Sequence, residues 1–324
     1  MLNVIVPRST QDAVEQCSKD PKLDFKAAGT DIMDRVHGGY LAPAGVVQLQ
    51  ALPLLRGITQ DGRSFVLGAL STLDDVVAHA ALSKAFPLMR DATDHTATPQ
   101  VRNLATVGGS LGQRPRCWYL RNPEFHCRKK GGPICYAIIG DNEAHAIYDN
   151  PMCAAVHPST MGAVLLALDG TLDVRLPGSD AVKSMTTAEF FTFDMMDPTR
   201  ENGLPHGALI ESVRVTRGTL PTRQAYERAS PRLLADWAAV EVCLNLTMEG
   251  EVVSDARVVL GAVGRVPRRA TAVEKALVGK PLTAITARAA AQFASEGATP
   301  LAHNQYKLQM ANNTVEAALL KVLS

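Results

Sequence analysis

The chain has 324 residues, 46% hydrophobic and 20% charged, a composition of folded protein and a length beyond the roughly 250 to 300 residues at which single cores stop growing. Its net charge of +1 gives no support to a nucleic-acid binder, and no apolar run reaches the ~18 residues of a membrane span. The opening MLNVIVPRST lacks a charged n-region and a long apolar segment, so the expectation is a cytoplasmic chain, or a periplasmic one if exported as a folded complex behind a partner's signal.

The first 60 residues read as a small βαβ-type unit. TQDAVEQC has helical spacing, LDFKA reads as a strand, DIMDRV begins a helix and GVVQLQAL is a further strand, with Gly29 at the bend in AAGTDIMD. SFVLGAL then predicts a strand and STLDDVVAHAAL a helix, with Ser71 and Asp74 as its capping box. TPQVRNLATVGGSLG supplies a second glycine turn. Beyond it come a cysteine-bearing segment, a helix MGAVLLAL, a strand TLDVRL and a polar loop over 192–207. From about residue 220 the pattern changes. Two long apolar strands, WAAVEVCLNLTMEG and VVSDARVVLGAVG, precede helices near 271–278, 283–295 and 303–322, as in a separate α+β domain.

Four of the six cysteines, Cys117, Cys127, Cys135 and Cys153, fall in the one segment between the glycine turn and MGAVLLAL. Four thiolates complete the ligand set of a [4Fe-4S] cluster or of a tetrahedral zinc. Structural zinc usually grips close C-x2-C pairs, whereas the spacing C-x9-C-x7-C-x17-C has none and favours a larger object wrapped by irregular loops. Zinc, disulfides and unrelated buried thiols stay open as alternatives. Arg114, Arg116, Arg121, Arg128, Lys129 and Lys130, opposed only by Glu124, would stabilise an anionic cluster. Trp118, Tyr119 and Phe125 would shield it from water, and Gly131, Gly132 and Pro133 would turn the backbone tightly around it. Cys17 and Cys243 read as small buried hydrophobes in a helix and a strand. His126, His145 and His157 read as surface or hydrogen-bonded residues rather than ligands.

The two glycine turns, AAGTD at 27–31 and TVGGS at 106–110, each let the backbone approach a phosphate and present successive amides to it. Neither fits G-x-G-x-x-G or the P-loop pattern, which disfavours an ordinary dinucleotide or nucleoside-triphosphate site.

The order AAGTD, RNLATVGGSLG and then a strand-rich domain ending in PLAHNQYKLQMA resembles, over essentially the whole chain, the flavoprotein subunit of the xanthine dehydrogenase family of molybdenum hydroxylases. The segment RCWYLRNPEFHCRKKGGPICYAIIGDNEAHAIY is similar to the smaller branch whose FAD subunit also carries a [4Fe-4S] cluster. That branch includes the periplasmic aldehyde oxidoreductases. The resemblance implies an α+β fold with a two-subdomain FAD-binding domain of the PCMH/VAO type over 1–219 (subdomains about 1–58 and 59–219, insert 114–157) and a CO-dehydrogenase-flavoprotein-type C-terminal domain over 220–324.

It further implies a first FAD loop of Lys26, Ala27, Ala28, Gly29, Thr30, Asp31 and Ile32, and a second of Thr106, Val107, Gly108, Gly109, Ser110 and Leu111. The four insert cysteines would be the cluster ligands. Leu209 and Ile210 match an apolar flavin contact, and Thr160 and Glu227 occupy further flavin positions. Three residues depart from the family pattern: Ala28 replaces a glycine, at little cost because a methyl is small, while Thr160 replaces an aspartate and Glu227 a lysine, and these two bear on the placement and potential of the flavin. The implied activity is electron transfer, with no catalytic acid or base on this chain. Electrons would arrive from a large molybdenum-cofactor subunit through a small subunit with two [2Fe-2S] clusters. They would leave to an external acceptor such as a ferredoxin, a quinone or a dye, with aldehydes as the implied substrates. The rival readings are a zinc-binding structural or regulatory protein and a stand-alone FAD-dependent oxidase.

Overall fold

The computed structural model describes residues 2–232 and 236–323. The first sheet is three parallel strands, β1 (Asn3–Ile5), β2 (Leu23–Lys26) and β3 (Gly45–Gln48), in the order β1-β3-β2. The helix Thr10–Ser18 makes the first crossover; Ser9 caps it by accepting from the Asp12 amide, and Ala13, Val14 and Cys17 form its buried face. That face meets Val47, Leu70 and Leu209 in a small core, so Cys17 is the buried hydrophobe expected.

The second sheet is antiparallel, built from β4 (Ile58–Asp61), β5 (Ser64–Gly68), β6 (Thr171–Arg175), β7 (Val182–Thr186) and β8 (Leu209–Thr216) in the order β4-β5-β8-β6-β7. Phe65, Leu67, Val213 and Val215 turn one face of it onto Phe86, Leu88, Met89 and the helix Thr160–Ala167. In that helix every residue from Met161 to Ala167 is buried, because it packs on the third sheet and on three neighbouring helices at once.

The third sheet comprises β9 (Thr222–Ala229), β10 (Val240–Glu249), β11 (Val252–Gly261) and β12 (Arg268–Arg269) in the order β12-β11-β10-β9. Along β10, Val242, Leu244 and Leu246 face a core shared with the helices Thr271–Leu277, Ala284–Ala291 and Tyr306–Lys321. Cys243, between them, points into the core of the second sheet. Burial on both faces is why this strand reads as a continuous apolar run rather than an alternating one.

The α+β class expected from the sequence is the architecture found. Several local expectations are corrected. The capping box belongs to Thr72 and Asp75, with Asp75 N donating to Thr72 Oγ1 at 3.0 Å and Thr72 N donating to Asp75 Oδ2 at 2.7 Å. The helix starts one residue later than expected, and the Ser71 hydroxyl donates instead to Gly57 O at 2.9 Å. The single helix expected over STLDDVVAHAAL ends at Ala78, and the chain continues as Ala80–Ala85 and Pro87–Asp94. The extended His79, and then Phe86 followed by Pro87, separate these pieces. The expected turn TVGGSLG is a helix, Val107–Gly112. Strand β9 was not foreseen because TRQAYERA carries polar residues on both faces.

Leu244→Ala is expected to cost about 2–5 kcal/mol, because a fully buried leucine would leave a cavity in the C-terminal sheet. Thr72→Ala, which removes one cap, should cost only about 1 kcal/mol. Urea unfolding midpoints of the two variants check the ordering.

Candidate functional site

Two sites lie side by side: an open cleft beneath the glycine loops and a cysteine-lined cavity in the segment that follows. The cleft has a volume of about 270 Å³ and is lined by residues 27–32, by Thr106, Gly108 and Gly109, and by Leu209 and Ile210. Gly29 adopts φ +92°, where an L side chain is strained, and a Cβ there would meet Met33 Cγ at 3.0 Å and Lys26 Cε at 3.1 Å. Gly108 N donates to Ala69 O at 2.8 Å, and a Cβ at Gly108 would stand 2.9 Å from the Ala69 Cβ. Thr106 caps the helix by accepting from Gly109 N at 3.1 Å. The first-turn amides are thereby taken up, Val107 N by Ser71 O at 2.9 Å, Gly108 N by Ala69 O and Gly109 N by the cap, so what the glycines offer the cleft is close approach of the backbone.

The other expected residues sit elsewhere. Lys26 Nζ donates to Gln48 Oε1 at 3.1 Å, while Val107 and Leu111 are core residues behind the cleft wall. The Ser110 and Ser159 hydroxyls lie 3.2 Å apart. Thr160 Oγ1 donates to Glu241 Oε2 at 2.8 Å, which satisfies a carboxylate whose pKa burial raises. Glu227 pairs with Lys321 at 2.8 Å beside a separate depression shared with Tyr306 and Met310. Cleft-lining residues that the sequence did not single out include Asn202, Leu204 and His206, from the polar loop. His206 is oriented by the carbonyl of Cys17, 3.1 Å from its Nε2.

The four insert cysteines come together. Cys117, Cys127, Cys135 and Cys153 line one small cavity of about 10 Å³, with Tyr119, Tyr136, Arg128 and Lys129. All four are free thiols. Among the described residues, no group of three or more His, Cys, Asp or Glu side chains is drawn together as a ligand set for a single metal ion.

Cys117, Cys127 and Cys135 each stand immediately before a short helical turn, at Trp118–Arg121, Arg128–Lys130 and Tyr136–Ile139. None closes a conventional capping bond, yet nearby amides favour the thiolate: those of Leu120 and Tyr119 act on Cys117, and those of Ala154, Ile138 and Ala137 act on Cys135. A hydrogen bond from Cys153 lowers Cys135 to about 6, and the same bond, with burial, raises Cys153. Burial outweighs the amides at Cys117 and pushes it up to about 11. Four sulfurs in one lining, with backbone amides acting on two of them and the Lys129 charge acting on Cys153, suit a group that carries negative charge.

The glycine demand here is severe, because a Cβ at Gly132 would fall 1.8 Å from His126 O. Tyr119, Phe125 and Tyr136 pack ring against ring at 4.9 to 6.0 Å, and both tyrosines cover the cavity as the sequence suggested for Tyr119. Trp118 turns away, onto the His145 ring at 4.5 Å. His126 is exposed; His145 and His157 are buried, and none of the three lines the cavity.

Most of the basic run does not face the cysteines, which corrects the expectation from charge alone. Arg116 Nη1 lies 2.6 Å from Asp31 Oδ1, Arg35 Nε lies 3.0 Å from Oδ2, and the Arg114 amide reaches Oδ2 at 3.4 Å. Lys129 Nζ and Arg114 Nη1 share Glu201, at 2.7 and 2.5 Å. Arg121 pairs with Asp34. Arg128 holds the carbonyls of Pro133, Pro151 and Met152. Two carboxylates of the cleft and its rim thus clamp the cysteine segment beside the glycine loops.

Residues 1–217 match the family described as the FAD binding domain in molybdopterin dehydrogenase, and residues 224–322 match the CO dehydrogenase flavoprotein C-terminal domain. The chain belongs to the molybdopterin-dehydrogenase FAD-binding family. Within it, the chain is 28% identical to the aldehyde oxidoreductase FAD-binding subunit PaoB of Escherichia coli K12, over 95% of this chain and 94% of that protein. It is 26% identical to the carbon monoxide dehydrogenase medium chain of Hydrogenophaga pseudoflava, over 97% and 94% respectively. The solved carbon monoxide dehydrogenase of Hydrogenophaga pseudoflava superposes with a TM-score of 0.77 at 23% identity, covering 99% of this chain and 97% of that one. Quinoline 2-oxidoreductase from Pseudomonas putida 86 gives 0.76 at 22%, covering 99% and 96%. These likenesses show that the family fold spans the chain.

Glu201→Ala would strand the buried Lys129 ammonium, whose remaining acceptor is Arg200 O at 3.2 Å. Loss of one partner of a buried pair costs about 3–5 kcal/mol, and a drop of that order in urea unfolding is the expected outcome.

Proposed function

We propose that this chain is the FAD- and [4Fe-4S]-binding electron-transfer subunit of a heterotrimeric molybdenum-containing aldehyde oxidoreductase. On this reading a large molybdenum-cofactor subunit oxidises the substrate and a small subunit with two [2Fe-2S] clusters feeds electrons to this chain. A one- or two-electron acceptor then collects them. The observation that carries the reading is the adjacency of two unlike sites: a cleft roofed by two glycine loops and a cavity lined by four cysteines, joined through Asp31 and Glu201.

The cleft residues suit an elongated phosphate-bearing cofactor. Gly29, Gly108 and Gly109 admit the backbone to a pyrophosphate, and Leu209 and Ile210 give an apolar wall for an aromatic ring. FAD, when bound, supplies redox chemistry that couples single-electron centres to an acceptor. The chain's part is to bind and orient it and to keep solvent from one face.

The four thiols fit a cluster by the chemistry of the donor set. Cys117, Cys127, Cys135 and Cys153 would be the ligands, and the Lys129 ammonium, with the amides that act on Cys117 and Cys135, would favour the more negative oxidation state. The aldehyde assignment rests on the likeness to PaoB along nearly the whole length.

Purified with its partner subunits, the protein should contain one FAD and about four irons and four sulfides beyond those of the small subunit. Zinc in place of iron would overturn the cluster, and an absence of flavin would overturn the cleft. Cys127→Ser should abolish this iron and its broad visible absorption while leaving FAD in place. Gly29→Val should do the reverse, cutting FAD per polypeptide at least tenfold with the iron retained.

A further inference from the structure

His145 lies outside the cysteine cavity, yet its Nε2 stands 3.2 Å from Cys117 Sγ. The ring is buried, and its other nitrogen, Nδ1, has no hydrogen-bond partner among the described residues. Two tautomers are available to a neutral imidazole. With the proton on Nδ1, a donor would be stranded in the interior and a lone pair would face the sulfur. With the proton on Nε2, the ring donates to the sulfur and leaves unpaired only an acceptor. The second arrangement is the one that a thiolate at Cys117 stabilises.

The position of the ring is enforced from the C-terminal domain. Asn304 Nδ2 donates to the carbonyls of His145 and Ala146 at 3.1 and 3.2 Å. Lys307, fully buried, donates to the carbonyls of Ala144, His145 and Ala262 at 3.2, 3.0 and 3.3 Å. The His145 amide donates to Asn142 O at 3.0 Å, and Trp118 closes edge-on over the ring at 4.5 Å. Asn304 and Lys307 both belong to the C-terminal motif PLAHNQYKLQMA, for which the two sites above provide no role.

We propose that His145 is a positioning and tuning residue for the cysteine site, donating Nε2–H to the Cys117 thiolate and thereby raising the reduction potential of the cluster held there. Asn304 and Lys307 act through it by fixing its backbone. Reduction adds negative charge to the sulfurs, so a donor hydrogen bond stabilises the reduced form more than the oxidised one. This inference rests on the cluster reading given above.

The test is a potentiometric titration of the purified complex, followed by visible absorbance and electron paramagnetic resonance, with the flavin couple as internal control. His145→Phe keeps the ring packing and removes the donor. The expected result is a cluster potential lowered by the equivalent of about tenfold in the one-electron equilibrium, ~59 mV, with the flavin potential unmoved. His145→Gln, which keeps an N–H, should recover most of the shift. A potential equal to the parent's in His145→Phe, or a shift upward, overturns the inference. If His145→Phe does not retain iron, Asn304→Ala decides: a smaller shift in the same direction supports the inference, and an unchanged potential overturns it. An absence of iron and sulfide from the unmodified protein defeats the cluster reading itself, which separates that failure from this one.

Discussion

The carboxylate of Asp31 is the joint on which the rest of the molecule turns. It sits in the first glycine loop, is largely buried, and is met by two guanidinium groups and one backbone amide. One guanidinium, from Arg35, is local to the loop and sets its conformation. The other, from Arg116, arrives from the cysteine segment, one residue before Cys117. A burial that would otherwise cost several kcal/mol per ion becomes tolerable because both oxygens are matched, and the geometry of the match leaves little freedom in how the two segments meet. Glu201 repeats the device on the opposite side of the segment, between Lys129 and Arg114. Buried ion pairs of this kind contribute less to stability than to register. Here the register is that of an irregular stretch with no sheet of its own.

That explains how a segment made of turns and one-turn helices can hold four side chains at one cavity. Its own apolar core is small, a cluster around Cys135, Ala137 and Ala154. Order is imported from both flanks. On the cleft side it comes from Asp31, Asp34 and Glu201. On the C-terminal side it comes from the buried Asn304 and Lys307, which donate to backbone carbonyls of the insert, and from His303 N and Thr299 O, which bond the insert's own buried Asn142 and Asn150. Each of these is a polar group buried at a cost that its hydrogen bonds offset. The two flanks are far apart in sequence, so the cysteine site depends on the fold of the whole chain.

How much of this was legible in the sequence follows from the range of the interactions involved. Local signals carried far: the helix at TQDAVEQC, the apolar helix before TLDVRL and the two long C-terminal strands are set by residues within a turn or two of each other. The glycine turns were legible as backbone permissions, and Gly29 and Gly108 occupy positions that a side chain would spoil. The cysteines were legible as a donor set by residue type and count. Partnerships across the chain were not. The basic run looked like a field around the cysteines, and only the placement of Asp31 and Glu201 reveals it as a set of anchors. Strand β9 hid because its polar residues are used in ion pairs and amide contacts, as with Glu227 to Lys321 and Gln224 to Asn245. The capping box slipped by one residue because Ser71 and Thr72 are chemically equivalent as caps, and a carbonyl at Gly57 decides between them.

The electrostatics of the cysteine cavity follow from the same construction. An isolated buried thiol resists ionisation, as Cys17 and Cys243 show by their raised pKa values. At the insert the chain works against that penalty with backbone amides, those of Leu120 and Tyr119 at Cys117 and those of Ala154, Ile138 and Ala137 at Cys135. Lys129 adds a full charge, held in place by Glu201 from the cleft side, and so opposes the burial of Cys153. The ion pair that aligns the two sites therefore also brings positive charge to Cys153. A change that moves Lys129 away withdraws that charge as well, which ties the ionisation of Cys153 to the contact with Glu201 at the cleft rim.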